Sequence, residues 1–302
     1  MFHRPLAVLV TFLGFVASGP PATAVVASVH PFCVQYLMNV QDSRMQGVID
    51  DPMPVTACNE HFKNAPIDIK DDYYSAEVKG IHNEKPYYRY KVVGMHRNAT
   101  IVSVAENPGG ANVYSAIGMI MGWPVSSSSD ARDFFTQRMT LLGFVEGGDR
   151  CNGGFAEVKM TAPATLLVST RLTPYDLFVY RPNRGLVRDK EKPVYVSVEN
   201  EELGPVSMKL MELEPYRDLD TGATSCIGTA TTEYNLDYGT AKLVSVKLDK
   251  LTSGAGVAKH KHQACFNKVV QEAAPSLPAT ITPEKLRAMS NAFESKCMAA
   301  TP

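Results

Sequence analysis

Neither sign of charge dominates this chain: 30 Lys and Arg stand against 31 Asp and Glu, a formal net charge of −1. The longest basic cluster, residues 259–262, is only four residues long. Holding a nucleic-acid backbone takes a concentrated basic face, so nucleic acid is excluded as the main partner. Long apolar runs are absent after the first two dozen residues. The next candidate, 113–123, is short and contains Gly118 and Gly122, whereas a spanning helix needs about 20 apolar residues. No membrane association is expected once the leader described below is removed. A C-x-x-C pair is missing, and the cysteine spacings are too wide for a zinc finger or ribbon. P-loop, G-x-G-x-x-G and G-x-S-x-G motifs are missing as well, and no cofactor is implied. There is no internal repeat and no low-complexity tract. The length of 302 residues suits one large domain or two modest ones and is enough to bury a real core.

What is present begins with a leader. Residues 1–5 carry Arg4, residues 6–17 form an apolar run broken only by Thr11 and Gly14, and Ala22-Thr23-Ala24 follows. A basic tip, an apolar stretch of about a dozen residues and a small-residue end read as a cleavable secretory signal, with cleavage after Ala24. The expected location is secreted or periplasmic. All six cysteines, Cys33, Cys58, Cys151, Cys226, Cys265 and Cys297, lie downstream of that cut. An even count in an exported chain suggests three bridges. Many pairings are open to six cysteines; pairing of sequence neighbours, 33–58, 151–226 and 265–297, is favoured.

Along the chain, apolar spacings of three and four predict a helix over 31–49, with Pro31 in its first turn. Residues 59–86 are polar and proline-broken, with one short strand at 75–79. Then 87–95, 100–105 and 112–121 alternate or are β-branched. They are separated by His96-Arg97-Asn98 and Asn107-Pro108-Gly109-Gly110, which predicts a three-stranded meander. Ala131, Phe134, Phe135, Arg138 and Leu142 mark a helical face closed by Gly143. Strand patterns follow at 156–160, 165–172, 177–180, 194–198, 206–213 and 242–248. Helical patterns return at 260–274 and again after Thr282-Pro283, where Leu286, Met289, Phe293 and Cys297 form a stripe. The expected fold class is α+β: an antiparallel β-rich core, meander plus sheet or sandwich, with flanking helices and a C-terminal helical hairpin. The expected organisation is a signal at 1–24, a main region at 25–258 in which two subdomains can meet near 150, and the helical hairpin at 259–302.

Few motifs carry chemistry. Leu219-Asp220-Thr221-Gly222-Ala223-Thr224 resembles the active-site turn of aspartic proteases, above all their retropepsin-like branch. The resemblance implies that Asp220 faces a second carboxylate across a shared water, the two sharing one proton. No second D-[TS]-G exists, so the pair would require a dimer, and the segment before Asp220 is polar where the family has a hydrophobic strand. An Asp-led turn between strands is the competing reading. Cys151-Asn152-Gly153-Gly154 resembles a segment of papain-like proteases, without their C-G-S-C-W nucleophile motif; a bridging cysteine on a glycine-rich loop explains it. His260 and His262 have the i, i+2 spacing that puts two imidazoles on one face of a strand, as zinc or copper would need. They also fit an exposed basic loop or helix start. Asn98-Ala99-Thr100 is an N-glycosylation sequon at a hairpin tip, relevant in a eukaryotic source. Tyr87, Tyr88 and Tyr90 on an alternating strand offer an aromatic binding face, set against ordinary packing of one side in a core.

Every conspicuous residue thus has a structural use, and no catalytic set converges. The favoured function is that of an exported, disulfide-stabilised binding or interaction protein that is not an enzyme, its partner an unidentified protein or small molecule. The alternative is a secreted hydrolase, in its most definite form a retropepsin-like protease using Asp220.

Overall fold

A computed structural model describes residues 29–39, 53–77, 85–110, 112–123, 138–174, 176–180, 226–249 and 262–298, with short pieces at 186–188, 193–195, 197–198, 210 and 251. Residues 1–24, Asp220 and His260 lie outside these residues.

The chain is α+β and β-rich. In order it forms α1 (Pro31–Asn39), β1 (Met53–Pro54), α2 (Val55–His61), β2 (Asp68–Lys70), β3 (Tyr73–Glu77), β4 (Tyr87–His96), β5 (Ala99–Asn107), β6 (Tyr114–Met121) and β7 (Arg138–Asp149). Then come β8 (Phe155–Ala162), β9 (Thr165–Leu172), α3 (Asp176–Val179), β10 (Leu186–Arg188), β11 (Pro193–Tyr195), β12 (Ser197–Val198) and β13 (Gly228–Asn235). β14 (Thr240–Leu248), α4 (Gln263–Ala273), β15 (Ala279–Ile281) and α5 (Pro283–Cys297) complete it. Two sheets result. The first has the order β11-β10-β7-β6-β5-β4-β3-β2, with β1 also on β7; the second runs β12-β14-β13-β9-β8, with β15 also on β14. All these pairings are antiparallel except β12 with β14.

The expected meander is β4, β5 and β6. Its turns form where turn chemistry allows: Arg97 adopts φ 53° in the first, and the Asn107 side chain accepts from the Gly109 N–H in the second. The helical reading past Arg138 is corrected. Residues 138–149 are strand β7, and burial there alternates through Met139, Leu141 and Gly143. The free edge of β6 supplies hydrogen-bond partners, and Gly143, Gly147 and Gly148 weaken a helix. The strand expected at 177–180 is corrected too: Asp176–Val179 is a helical turn. Thr173 and Asp176 close a reciprocal capping box there, in which the Asp176 N–H donates to Thr173 Oγ1 and the Thr173 N–H donates to Asp176 Oδ2.

Three apolar clusters hold the layers together. On one face of the first sheet, Val34 and Leu37 of α1 pack on Tyr88, Tyr90, Val102, Val104 and Trp123. Its other face meets the second sheet, where Ile101 and Ile117 contact Val158, Leu166, Val168, Tyr234 and Ala241. β5 is therefore buried on both faces from Ala99 to Val104. The same face of the second sheet continues past the first and carries the helices: Leu172, Ala230, Leu243 and Val246 pack against Phe178, Phe266, Val270 and Phe293. Thr282 caps α5, its Oγ1 accepting from the Lys285 N–H with Pro283 in the first turn.

Three disulfides pair sequence neighbours: Cys33–Cys58 joins α1 to α2, Cys151–Cys226 joins the β7–β8 turn to the approach to β13, and Cys265–Cys297 joins α4 to α5. Where the sheets meet at their hairpin tips, His96 Nδ1 lies 3.0 Å from the Pro163 carbonyl oxygen and Arg97 donates to Asp237 at 2.8 Å.

Candidate binding face

Two Tyr-Tyr dipeptides, 73–74 and 87–88, sit on adjacent antiparallel strands, and each sends one ring to either side of the first sheet. The inner rings enter the core. Tyr74 stacks on Tyr90 at 5.2 Å, Tyr90 meets Trp123 edge-on at 5.5 Å, and the Tyr90 hydroxyl donates to the Val29 carbonyl at 2.6 Å. Tyr88 and Tyr90 are enclosed, 1% and 0% exposed. Burial raises the pKa of both phenols, Tyr88 further under the influence of Glu106 and Tyr90. Tyr87, Tyr88 and Tyr90 thus form no single stripe: only Tyr87 is on the outer side, because a strand alternates.

The outer side, the same face that farther along meets the second sheet through Ile101 and Ile117, brings together Tyr73, Tyr87, Arg89 and Lys91. The Arg89 guanidinium carbon lies 4.8 Å from the Tyr73 ring centre and 5.4 Å from that of Tyr87. Lys91 Nζ is 5.2 Å from the Tyr73 ring centre. These are cation–π distances. Among the described residues neither cation meets a carboxylate, unlike Arg97, Lys159, Lys247 and Lys296, each of which faces one. Arg89 Nε is buried and has no hydrogen-bond partner among the described residues. Directly across from Arg89 stand Ser75 on β3 and Ala105 on β5, and across from Ala105 stands Ser115 on β6. Ser103 is across from Lys91. The floor of the face is therefore made of small side chains, with the tyrosines rising from it. Ser115 closes one side: its Oγ accepts from the Phe155 N–H at 2.8 Å, where β8 begins. On the other side β3 leads to the exposed strand β2. Glu77 shares the face opposite Tyr87, and Asp68 shares it opposite Ser75.

Sequence reasoning found Tyr87 and missed Tyr73, Arg89 and Lys91 as a group. Alternation alone places Arg89 and Lys91 beside Tyr87. Tyr73 joins them only through the β3–β4 register, a non-local pairing.

The remaining candidate residues are dispersed. Asn98 is exposed in the β4–β5 turn, while Thr100 of its sequon is buried. His262 precedes α4 and packs edge-on against Phe293, with ring centres 6.2 Å apart. Among the described residues no group of three or more His, Cys, Asp or Glu side chains is placed to hold a metal ion, and no helix is long and apolar enough to cross a membrane. Two polar clusters sit elsewhere. Asp176 Oδ2 takes the Thr173 hydroxyl at 2.8 Å, and Tyr180 shares a hydrogen bond with Thr232 at 2.9 Å. Gln35 of α1 donates to Glu106 at 2.6 Å, and burial raises the carboxyl pKa of Glu106 while that bond opposes the rise. Both clusters hold elements together from within. No family model matches the chain, and neither a curated protein nor a solved structure matches it.

Proposed function

We propose that the chain is an exported, disulfide-stabilised binding protein that recognises its partner through the Tyr73–Tyr87–Arg89–Lys91 face and performs no chemistry of its own. The observation that carries this reading is Arg89, an arginine within cation–π distance of two tyrosine rings, whose buried Nε has no hydrogen-bond partner and which meets no carboxylate among the described residues. Such a side chain is ordered before any partner arrives, so binding forfeits little of its rotamer freedom. Tyrosine and arginine are also the residues that most often anchor interfaces. The three disulfides fit an oxidising compartment. The polar clusters at Thr173–Asp176 and Tyr180–Thr232 have structural work to do, whereas the two cations of this face meet no carboxylate among the described residues.

The test is a fragment screen on the oxidised protein followed through the NMR signals of the Tyr73 and Tyr87 rings. Fragments that shift both rings saturably, and cease to bind the Tyr73→Ala/Tyr87→Ala variant, support the reading. A screen whose only hits bind the double variant equally well ends it.

A further inference from the structure

We infer that the ligand of this face is a small oxyanion, a carboxylate, sulfate or phosphate group on a compact molecule, taken by Arg89 with Lys91 as the second charge. The inference rests on the reading of the face as a binding surface and adds the chemistry of what it binds.

Three features lead there. The first is the guanidinium itself. Its planar fork of donors matches an oxyanion in two parallel hydrogen bonds, and it tolerates stacking on aromatic rings because it is weakly hydrated. The Tyr73 and Tyr87 rings lie at cation–π distance from its central carbon, contacts that supply its N–H groups with no strong acceptor. The second is the lack of a competing anion. Asp68 and Glu77 share this side of the sheet, yet neither forms an ion pair with Arg89 or Lys91 among the described residues. The third is partial exposure: Ser75 and Ala105, the direct neighbours of Arg89 across the strands, are short, and Arg89 as a whole is only partly buried.

Charge sets the size of the ligand. Lys70, across from Tyr73 on β2, adds an exposed third cation to this side, and so small a set suits one or two negative groups. A long polyanion would pass Glu77 and Asp68 at the same surface and meet a chain whose net charge is already −1. Phosphate polymers need many basic contacts.

The experiment is an NMR titration of the oxidised full chain at constant ionic strength, with sodium phosphate, sulfate, acetate and succinate as separate probes. An uncharged phenol and a long oligonucleotide serve as further probes. The expected result is a saturable shift at the Tyr73 and Tyr87 rings and at Arg89 Nε with at least one of the four oxyanions. Arg89→Ala should weaken that binding by roughly tenfold or more, the value of hydrogen bonds to a charged group. Arg89→Lys, which keeps the charge and loses the fork, should weaken it as well, and Lys91→Ala less. Trp123 fluorescence, reporting the opposite side of the sheet, checks that each variant is folded. Binding of any oxyanion that survives Arg89→Ala overturns the inference, as does binding confined to the oligonucleotide. If phenol shifts the two rings and no oxyanion does, the face binds but the oxyanion assignment is wrong. If none of these probes moves the two rings, the oxyanion assignment fails, and the fragment screen decides the binding reading separately.

Discussion

His30, buried, and Glu106, half-buried, are titratable groups whose effects on stability run in opposite directions. The His30 ring stacks on Phe62 at 5.3 Å; its Nδ1 accepts from the Phe32 N–H, and its Nε2 faces the Ala65 carbonyl oxygen at 3.2 Å. Those partners fit the neutral ring with its proton on Nε2; a second proton would confront the Phe32 N–H. Burial lowers its pKa below 6.5, against the pull of the Ala65 carbonyl. Below pH 6.5 the unfolded chain therefore binds more protons at this position than the folded one, and stability falls as pH falls towards the folded pKa. Glu106 does the reverse. Its folded pKa is raised above 4.5, mainly by burial, so the folded state keeps its proton longer and stability falls as pH rises through the window above 4.5. Urea melts from pH 4 to pH 8 should separate the two. His30→Asn should flatten the loss on the acid side of 6.5. Glu106→Gln, which keeps an acceptor for Gln35, should remove the opposing slope and leave the protein more stable than wild type at pH 7. Parallel pH profiles for wild type and both variants would mean that neither ring nor carboxyl titrates differently on folding.

At the scale of elements, the C-terminal helices show what a bridge adds to packing. α5 presents Leu286, Met289 and Phe293 to the second sheet, and Phe293 stacks on Phe178 at 4.9 Å. The Cys265–Cys297 bridge spans 32 residues and acts mostly by restricting the unfolded chain, an effect of about 3 to 4 kcal/mol for a loop of this order. Cys265→Ser/Cys297→Ser should thus lower the unfolding free energy by that amount while leaving the far-UV circular dichroism unchanged in the absence of urea. Phe293→Ala should cost about 3 to 5 kcal/mol through the lost burial and the cavity. Helix signal missing from the double cysteine variant before urea is added would show that the bridge, and not the apolar stripe, docks the helices. This hairpin was legible in the sequence because its signals are local: a Thr-Pro start and a stripe at spacings of three and four. Strand β7 was not, because Phe134, Phe135, Arg138 and Leu142 mimic a helical spacing, and the pairing with β6 that decides against it is remote. The short helix at Asp176–Val179 was legible in principle. Thr173 and Asp176 are spaced as a capping box, a signal the apolar run at 177–180 outweighed. Strand β13, Thr-rich and buried at every second residue, carried a period-two pattern that sequence reading passed over.

For the molecule as a whole, the question is whether the two sheets stand or fall together. Alternation and turn residues foretold that antiparallel sheets would form; which faces meet depends on contacts between residues far apart in sequence, and those cannot be read from local pattern. The arrangement couples the sheets at three places: the apolar layer of Ile101 and Ile117 on Leu166 and Val168, the hairpin-tip contacts of His96 and Arg97 with Pro163 and Asp237, and the Cys151–Cys226 bridge beside the crossing from β7 to β8. The exposed Arg97–Asp237 pair adds little by itself; the buried layer carries most of the coupling. Trp123, the only tryptophan, lies in the cluster between the first sheet and α1 and reports on that sheet alone. Leu166, 1% exposed, belongs to the second sheet. Leu166→Ala should cost about 2 to 5 kcal/mol. If the sheets unfold as one unit, that cost moves the Trp123 fluorescence transition by the same amount as the circular dichroism transition, although no Leu166 atom belongs to the cluster around Trp123. A Trp123 transition that stays at its wild-type midpoint, with the dichroism curve splitting in two, would show that the interface between the sheets is too weak to make them one cooperative structure.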